Sequence, residues 1–407
     1  MPALRDLLEK LLERKDLSEA EAQELLGALT NPETPPAMSG AVLAALRSKG
    51  VVADELRGFA RLMRSLARRP EIPADVRAID IVGTGGDASG SVNISTGTSL
   101  LVASCGVPVV KHGNRSISSR AGAADVLEVL GLKIPLDEKA AAECFAATNF
   151  TFLFAPYFHP AMKSVAPVRA AMGVRTVFNI LGPLANPAQP PLHVIGAYSR
   201  DVAKLMAHTL AGLNIERTFV IHGAAGWDEP TPIGSFALFD VRPGKVEESE
   251  RGPSDYGIRA CVAAELAGGD AQHNARALRA VLSGDDNGAH RDCLLLGASL
   301  ALEVAGIVKT PREGVERAAQ AIDSGAARKL LDSLAAFGEE ALNRRAAQEA
   351  AGSAGAAGQA GTAHAPTTQA GATQGATAQG ATAQGSAAQG SAAQGAAAQA
   401  TTPGTRA

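Results

Sequence analysis

The chain has 407 residues, 46% hydrophobic and 19% charged, with a formal net charge of −3. That is ample apolar material for one or two cored domains, and the mildly acidic balance argues against a nucleic-acid or anionic-membrane surface. No apolar run approaches the roughly 18 residues that span a bilayer and no stretch reads as a signal peptide. The four scattered cysteines, Cys105, Cys144, Cys261 and Cys293, fit neither a zinc site nor a disulfide framework, which points to a cytoplasmic protein.

Residues 1–72 predict a small helical domain. Leu4, Leu7, Leu8, Leu11 and Leu12 recur at helical spacing. "DLSEAEAQELLGAL" carries a capping box, with Ser18 as cap and Glu21 three residues on. "TNPETPP" is a loop, and "SGAVLAALRSKG" and "ADELRGFARLMRSLARR" read as two further helices. Short helices bury little alone, so the reading packs their apolar faces together, with dimerisation as the use of the domain.

After "PEIPADVR" short β-branched runs alternate with alanine-rich helical stretches. "AIDIVG", "VPVVKHG", "FTFLFAP", "LHVIGAYS" and "RTFVIHG" are apolar almost throughout, as strands covered on both faces are. Residues 73–345 thus predict an α/β domain with a mostly parallel sheet. "LANPAQPP" and "PSDYG" read as loops, and "RPGKVEESERG" as an edge hairpin or exposed turn. Residues 346–407 are a loose repeat of Gly, Ala, Gln, Ser and Thr. With almost nothing large and apolar to bury, they predict a disordered tail with no part in catalysis.

"IDIVGTGGDASG" follows a strand and precedes the helix that begins near "NISTGTSLLVASCG". Such glycines allow positive φ and close backbone approach to a ligand, and helix-start amides attract anions. A Walker loop needs a Gly-Lys-Ser/Thr ending that is absent here. A dinucleotide loop wants an acid at the end of the next strand, where this chain has Lys111, His112 and Arg115. A small sugar carrying several phosphates fits that basic end better, and a plain tight turn is the bland alternative. "HGAAGWDEPTP" brings Asp228 and Glu229 to the same sheet edge. Two acids beside phosphates call for magnesium, which takes one or two carboxylates and completes its shell with water and phosphate oxygens; a solvated acidic turn is the other reading. In "FLFAPYFHPAMKSVAPVRAAMGVRTVFNILGPLANP", His159 and Pro160 open a predicted helix carrying Lys163, Arg169 and Arg175. An arginine there can take a carboxylate bidentately, while Arg175 reads as a surface or interdomain residue.

"VGTGGD", "NIST", "KHGNRSISS", "AGAADVLEVLG", "FAPYFHPAM", "VRAAMGVRTVFNILGPLANP" and "GWDE" occur in one order. Together they closely resemble the anthranilate phosphoribosyltransferases, over roughly residues 5–340. The resemblance implies an α/β fold of the nucleoside phosphorylase and phosphoribosyltransferase type, with part of residues 160–190 joining the helical domain, and a homodimer formed through that domain. It implies transfer of phosphoribose from phosphoribosyl pyrophosphate (PRPP) to the amine of anthranilate in tryptophan synthesis, with two Mg2+ ions. By motif, Gly83, Thr84, Gly85, Gly86 and Asp87 line the pyrophosphate, and Asn93, Ser95, Thr96 and Lys111 hold phosphate and ribose groups. Ser95, Asp228 and Glu229 hold magnesium. Gly83, His112, Asn114, Arg169 and Pro183 border anthranilate, and Lys111, His112 and Arg169 are the catalytic candidates, His112 being a weak candidate for a base. The partners implied are these two small molecules, with neither nucleic acid nor membrane.

Some residues depart from the family pattern. Ala225 replaces an acid, Trp227 a leucine-like residue and Gly297 an asparagine. "SVNIST" and "LANP" also differ. These bear on turnover and acceptor preference rather than on reaction class. Pyrimidine nucleoside phosphorylases share the fold, but their lysine- and serine-rich phosphate signature is missing. A nucleic-acid-binding paralogue would show a basic groove and eroded loops. A relative using another aromatic carboxylate stays open.

Overall fold

The computed structural model describes the backbone of residues 2–116 and 120–359, and side chains of residues 4–116 and 120–343. One compact unit spans Met1–Ala351 and a second begins at Gly352. Four helices come first: α1 (Pro2–Leu12), α2 (Glu19–Thr30), α3 (Pro36–Lys49) and α4 (Ala53–Leu66). The capping box starts α2 as expected: Glu21 N donates to Ser18 Oγ at 3.3 Å and Ser18 N to Glu21 Oε2 at 2.7 Å. Leu4, Leu7 and Leu11 turn inward onto Leu25, Val42 and Phe59 in one apolar cluster. Val165, Phe178, Leu181 and Leu184 belong to the same cluster, and Arg64 Nε of α4 donates to the Leu184 carbonyl at 2.7 Å. Residues 165–184 thus pack against the first four helices.

The five apolar runs form β1 (Ile79–Gly83), β2 (Val109–Gly113), β3 (Phe150–Phe154), β4 (Leu192–Gly196) and β5 (Arg217–His222). "RPGKVEESERG" is the turn and outer strand of a hairpin made by β6 (Phe236–Arg242) and β7 (Lys245–Arg251). The sheet order is β3-β2-β1-β4-β5-β6-β7, parallel from β3 to β5 and antiparallel beyond. Alternate residues serve opposite faces: Leu192 and Val194 join one cluster, Ile195 and Ala197 the other. Edge strand β7 is rich in exposed charge, which blunts pairing with a further strand. Helix α5 (Ile94–Ser104) follows β1 and packs against the helix Ala289–Val304. Chain order reverses between β1 and β4, so the crevice at their carboxyl ends is the switch point where open α/β sheets bind ligands.

Three readings differ from the structure. The helix expected after His159 is broken. Pro160–Lys163 is one 3-10 turn, and the helix Ala166–Met172 stops at Gly173, whose φ is 62°. Glycine takes that left-handed cap without a Cβ penalty, and Arg175 falls beyond it. "PSDYG" holds a 3-10 turn, Pro253–Tyr256. At the end of the chain, the helix Ala326–Gln359 continues past 346; alanine is the strongest helix former and outweighs the first glycines. The remainder of the predicted tail, 360–407, lies outside the described residues.

His193 on β4 is fully buried, with Nδ1 3.3 Å from Thr218 Oγ1. Burial pushes its pKa down to about 3, helped by the Arg64 charge. The folded state keeps this ring neutral while the unfolded chain protonates it below about 6.5. Stability from this group is therefore present above pH 6.5 and lost as pH falls toward 3, at about 1.4 kcal/mol per pH unit. Buried Asp80, raised to about 6, contributes with the opposite sign, so a difference measurement is required. In urea titrations between pH 6 and 4, His193→Gln should lower the slope of stability against pH by that amount relative to wild type. An unchanged slope would refute the neutral buried imidazole.

Candidate active site

Gly83 of β1 and Gly196 of β4 are register partners at the switch point, and Asp228 sits on both. A Cβ at Gly196 would lie 1.5 Å from the Asp228 carbonyl oxygen, and one at Gly83 would lie 2.3 Å from Asp228 Oδ2. No larger residue fits at either strand end while the acid stays seated. From this seat Asp228 Oδ2 accepts from Gly85 N at 2.5 Å, and Asp228 N donates to Asp87 Oδ2 at 3.2 Å. Glu229 Oε1 accepts from Ser95 N at 3.1 Å at the start of α5. The glycine loop, the helix start and the "GWDE" turn thus meet at one point.

Lys111 enters the same point from β2. It is fully buried, with Nζ donating to the Ile81 carbonyl at 2.5 Å and to Ser95 Oγ at 3.2 Å. Withdrawal from water lowers its pKa, and the charges of Asp80 and Glu229 oppose that shift. Asp80, at the core of β1, accepts from His112 N at 3.3 Å and from Asn186 Nδ2 at 2.8 Å. Asn186 also donates to the Val110 carbonyl at 2.9 Å. It thereby pins the loop after "GPL" to β1 and β2.

Three carboxylates, Asp87, Asp228 and Glu229, now share one small region. Burial first and the charge of Asp87 second raise Asp228 to about 7. Burial and the charge of Asp228 raise Glu229 to about 8, with Lys111 pulling it back. Such acids hold their charge poorly without a cation. The donor set, carboxylates with Ser95 Oγ beside them, is all oxygen and suits Mg2+. Among the described residues no group of three such ligands forms a preformed cage.

The acceptor-side residues cluster less tightly. His112 Nδ1 donates to the Gly182 carbonyl at 3.3 Å, and its ring lies 5.1 Å from that of His159, edge to face. Burial drives His112 to about 3 and His159 to about 4, so both rings are neutral at pH 7. Pro183 is buried in the 3-10 turn Gly182–Leu184. Asn114 is exposed beyond β2, its Oδ1 accepting from Arg115 N at 2.7 Å. Arg169 Cζ lies 5.1 Å over the Phe178 ring. Its guanidinium makes no hydrogen bond among the described residues, and burial lowers its pKa.

Within the loop, Thr84 N donates to the Gly196 carbonyl at 3.0 Å, and Gly85 and Gly86 have φ of 71° and 77°. Asn93 caps no helix with its side chain; it donates to the Ala121 carbonyl at 3.2 Å and accepts from Asn274 at 2.8 Å. Thr96 is fully buried, its hydroxyl without a partner among the described residues, so it stands apart from Ser95. Gly297 borders a cavity of about 10 Å³ beneath Glu229, where a Cβ would lie 2.7 Å from Thr98 Oγ1. Sequence reasoning missed Gly196, Asp80 and Asn186, and read Arg175 only as a surface or interdomain residue. Two of these carried a signal: a polar Asp80 inside an apolar strand and a glycine ending the "LHVIG" strand.

Residues 75–328 match the model of a glycosyl transferase family, a/b domain, and residues 5–67 that of its helical bundle domain. Fold and site thus define a glycosyl transferase of this two-domain class. An anthranilate phosphoribosyltransferase of Azorhizobium caulinodans is 44% identical over 335 residues, covering 82% of this chain and 96% of its own. One of Rhodopseudomonas palustris is 45% identical over 330 residues, covering 81% and 97%. The structure of the Thermus thermophilus enzyme matches with a TM-score of 0.77 at 40% identity, covering 82% of this chain and 99% of that one. That of the Saccharomyces cerevisiae enzyme in complex with PRPP and Mg matches at 0.75 and 27%, covering 83% and 98%. The chain belongs to the anthranilate phosphoribosyltransferase family.

Gly196→Ala drives a methyl into the Asp228 backbone. Overpacking of this kind costs about 1–3 kcal/mol, and urea unfolding of the variant should show that loss. A wild-type midpoint would mean that Asp228 is not seated on this glycine.

Proposed function

We propose that the chain transfers the phosphoribosyl group of PRPP to the amine of anthranilate, releasing pyrophosphate, as a step of tryptophan biosynthesis. The observation that carries this reading is the convergence of the glycine loop, Lys111 and the Asp228–Glu229 pair at one sheet edge. Gly83, Thr84, Gly85, Gly86 and Asp87 face the pyrophosphate; Asn93, Ser95 and Lys111 serve its phosphate and ribose groups. Asp228, Glu229 and Ser95 would hold two magnesium ions, which when bound supply positive charge against the departing pyrophosphate.

The C1–O bond to pyrophosphate breaks with its electron pair leaving on oxygen, and the aniline lone pair forms the C1–N bond. The nitrogen then releases a proton to solvent. An aniline nitrogen is neutral at pH 7, so its lone pair is free without a base. His112, held near 3 by burial, is a poor proton acceptor there; we assign it to shaping the acceptor site, with Nδ1 fixed on Gly182. Arg169 offers to the carboxylate a half-buried guanidinium that makes no hydrogen bond among the described residues, with Asn114 and Pro183 bordering the ring. Much of the rate comes from aligning nitrogen and C1. We place the homodimer contact on the helical part, where Leu12 stands 60% exposed, and the protein in the cytoplasm, where its four free cysteines stay reduced.

Anthranilate fluorescence should decay only with protein, PRPP and magnesium together. Arg169→Met should raise KM for anthranilate about 10-fold or more, the worth of a charge-assisted pair, and leave KM for PRPP unchanged. No decay with folded protein would contradict the reading; an unchanged anthranilate KM would remove Arg169 from the acceptor site.

A further inference from the structure

We propose that Arg175 is a positioning residue that fixes the glycine loop for pyrophosphate and couples that loop to the helical part. The inference rests on the phosphoribosyl-transfer reading above. Arg175 lies in an exposed stretch beyond Gly173, yet its guanidinium and its carbonyl are both engaged. Its Nη2 donates to the Gly86 carbonyl, and its Cζ stands 4.1 Å over the Tyr198 ring. Tyr198 is itself tied to the loop, its N donating to Thr84 Oγ1 at 3.2 Å. The loop is thus gripped at both 84 and 86, with Gly85 between them. The backbone carbonyl of Arg175 accepts from Arg47 Nη1 of α3 at 2.7 Å. One residue therefore joins a helix of the bundle, an aromatic platform beside β4 and the anion loop.

The grip has a chemical consequence. Gly85 and Gly86 have positive φ, and glycine backbones have many alternatives to such a shape. A peptide unit is planar and trans, so its C=O and N–H point in opposite directions. Holding the Gly86 carbonyl toward Arg175 aims the Asp87 N–H the other way. That N–H has no partner among the described residues, which leaves it available to an anion. A guanidinium that stacks and donates at once is rigid in a way an ammonium is not.

The test is steady-state kinetics of Arg175→Gln, Arg175→Lys, Arg47→Met and the Arg47→Met/Arg175→Gln pair. Arg175→Gln should raise KM for PRPP about 10-fold, as loss of a hydrogen bond from a charged group does, with anthranilate KM unmoved. Arg175→Lys should be equally impaired, because it keeps charge but not the stacked fork. Arg47→Met should have a smaller effect and add nothing to Arg175→Gln, as expected of two residues acting in series. A wild-type PRPP KM in Arg175→Gln would overturn the proposal. So would recovery in Arg175→Lys, which would make the residue a mere charge for the substrate, and additivity with Arg47→Met would break the link to the bundle. Calorimetric titration of the same variants with PRPP and magnesium repeats the comparison without acceptor. A wild type that binds PRPP but transfers nothing would refute the transfer reading and leave the Arg175 comparison decisive; one that binds no PRPP would overturn both.

Discussion

Asp228 rests on two glycines that face each other across β1 and β4, and the site is arranged around that seat. The Asp228 carbonyl could not lie where it does if Gly196 carried a methyl group. Because the turn is brought so low over the strand ends, Asp228 reaches Gly85 N and Glu229 reaches Ser95 N. The acids and the amides of the glycine loop and the α5 start then occupy a single small space. The parallel sheet supplies the rest, since its switch point puts the ends of β1 and β4 side by side.

This crowding has an electrostatic cost that the fold balances in two places. Buried Lys111 faces Asp80 on one side and Glu229 on the other. Asp80 is in turn held by Asn186 and the His112 amide. An unpaired buried charge is expensive, so removing Asp80 would affect Lys111 without touching any ligand. On the open side the three carboxylates repel one another until a cation joins them.

The fold was largely legible in the sequence because its strands are apolar on both faces and bounded by glycine and proline. The glycine loop, Lys111 and the adjacent acids could be read together for a related reason: each ends a strand, and a parallel sheet gathers such ends. What could not be read was long-range pairing. Asn186 meets Asp80 across 106 positions and Arg175 meets Gly86 across 89, distances at which no spacing rule operates. Thr96, the motif neighbour of Ser95, turns into the core because α5 rotates it about 100° away, which a linear motif does not show. The break at Gly173 also moved Arg175 off the helix on which periodicity placed it.

The most direct test of this account is calorimetric titration of PRPP with and without magnesium, in wild type and in Asp228→Asn/Glu229→Gln. The account predicts that magnesium tightens PRPP binding in the wild type by about 10-fold or more, as charge-assisted contacts do, and has no such effect on the folded double variant. Equal magnesium dependence in the two proteins would contradict it, because Asp228, seated on Gly83 and Gly196, and its neighbour Glu229 would then not be the groups that hold the metal.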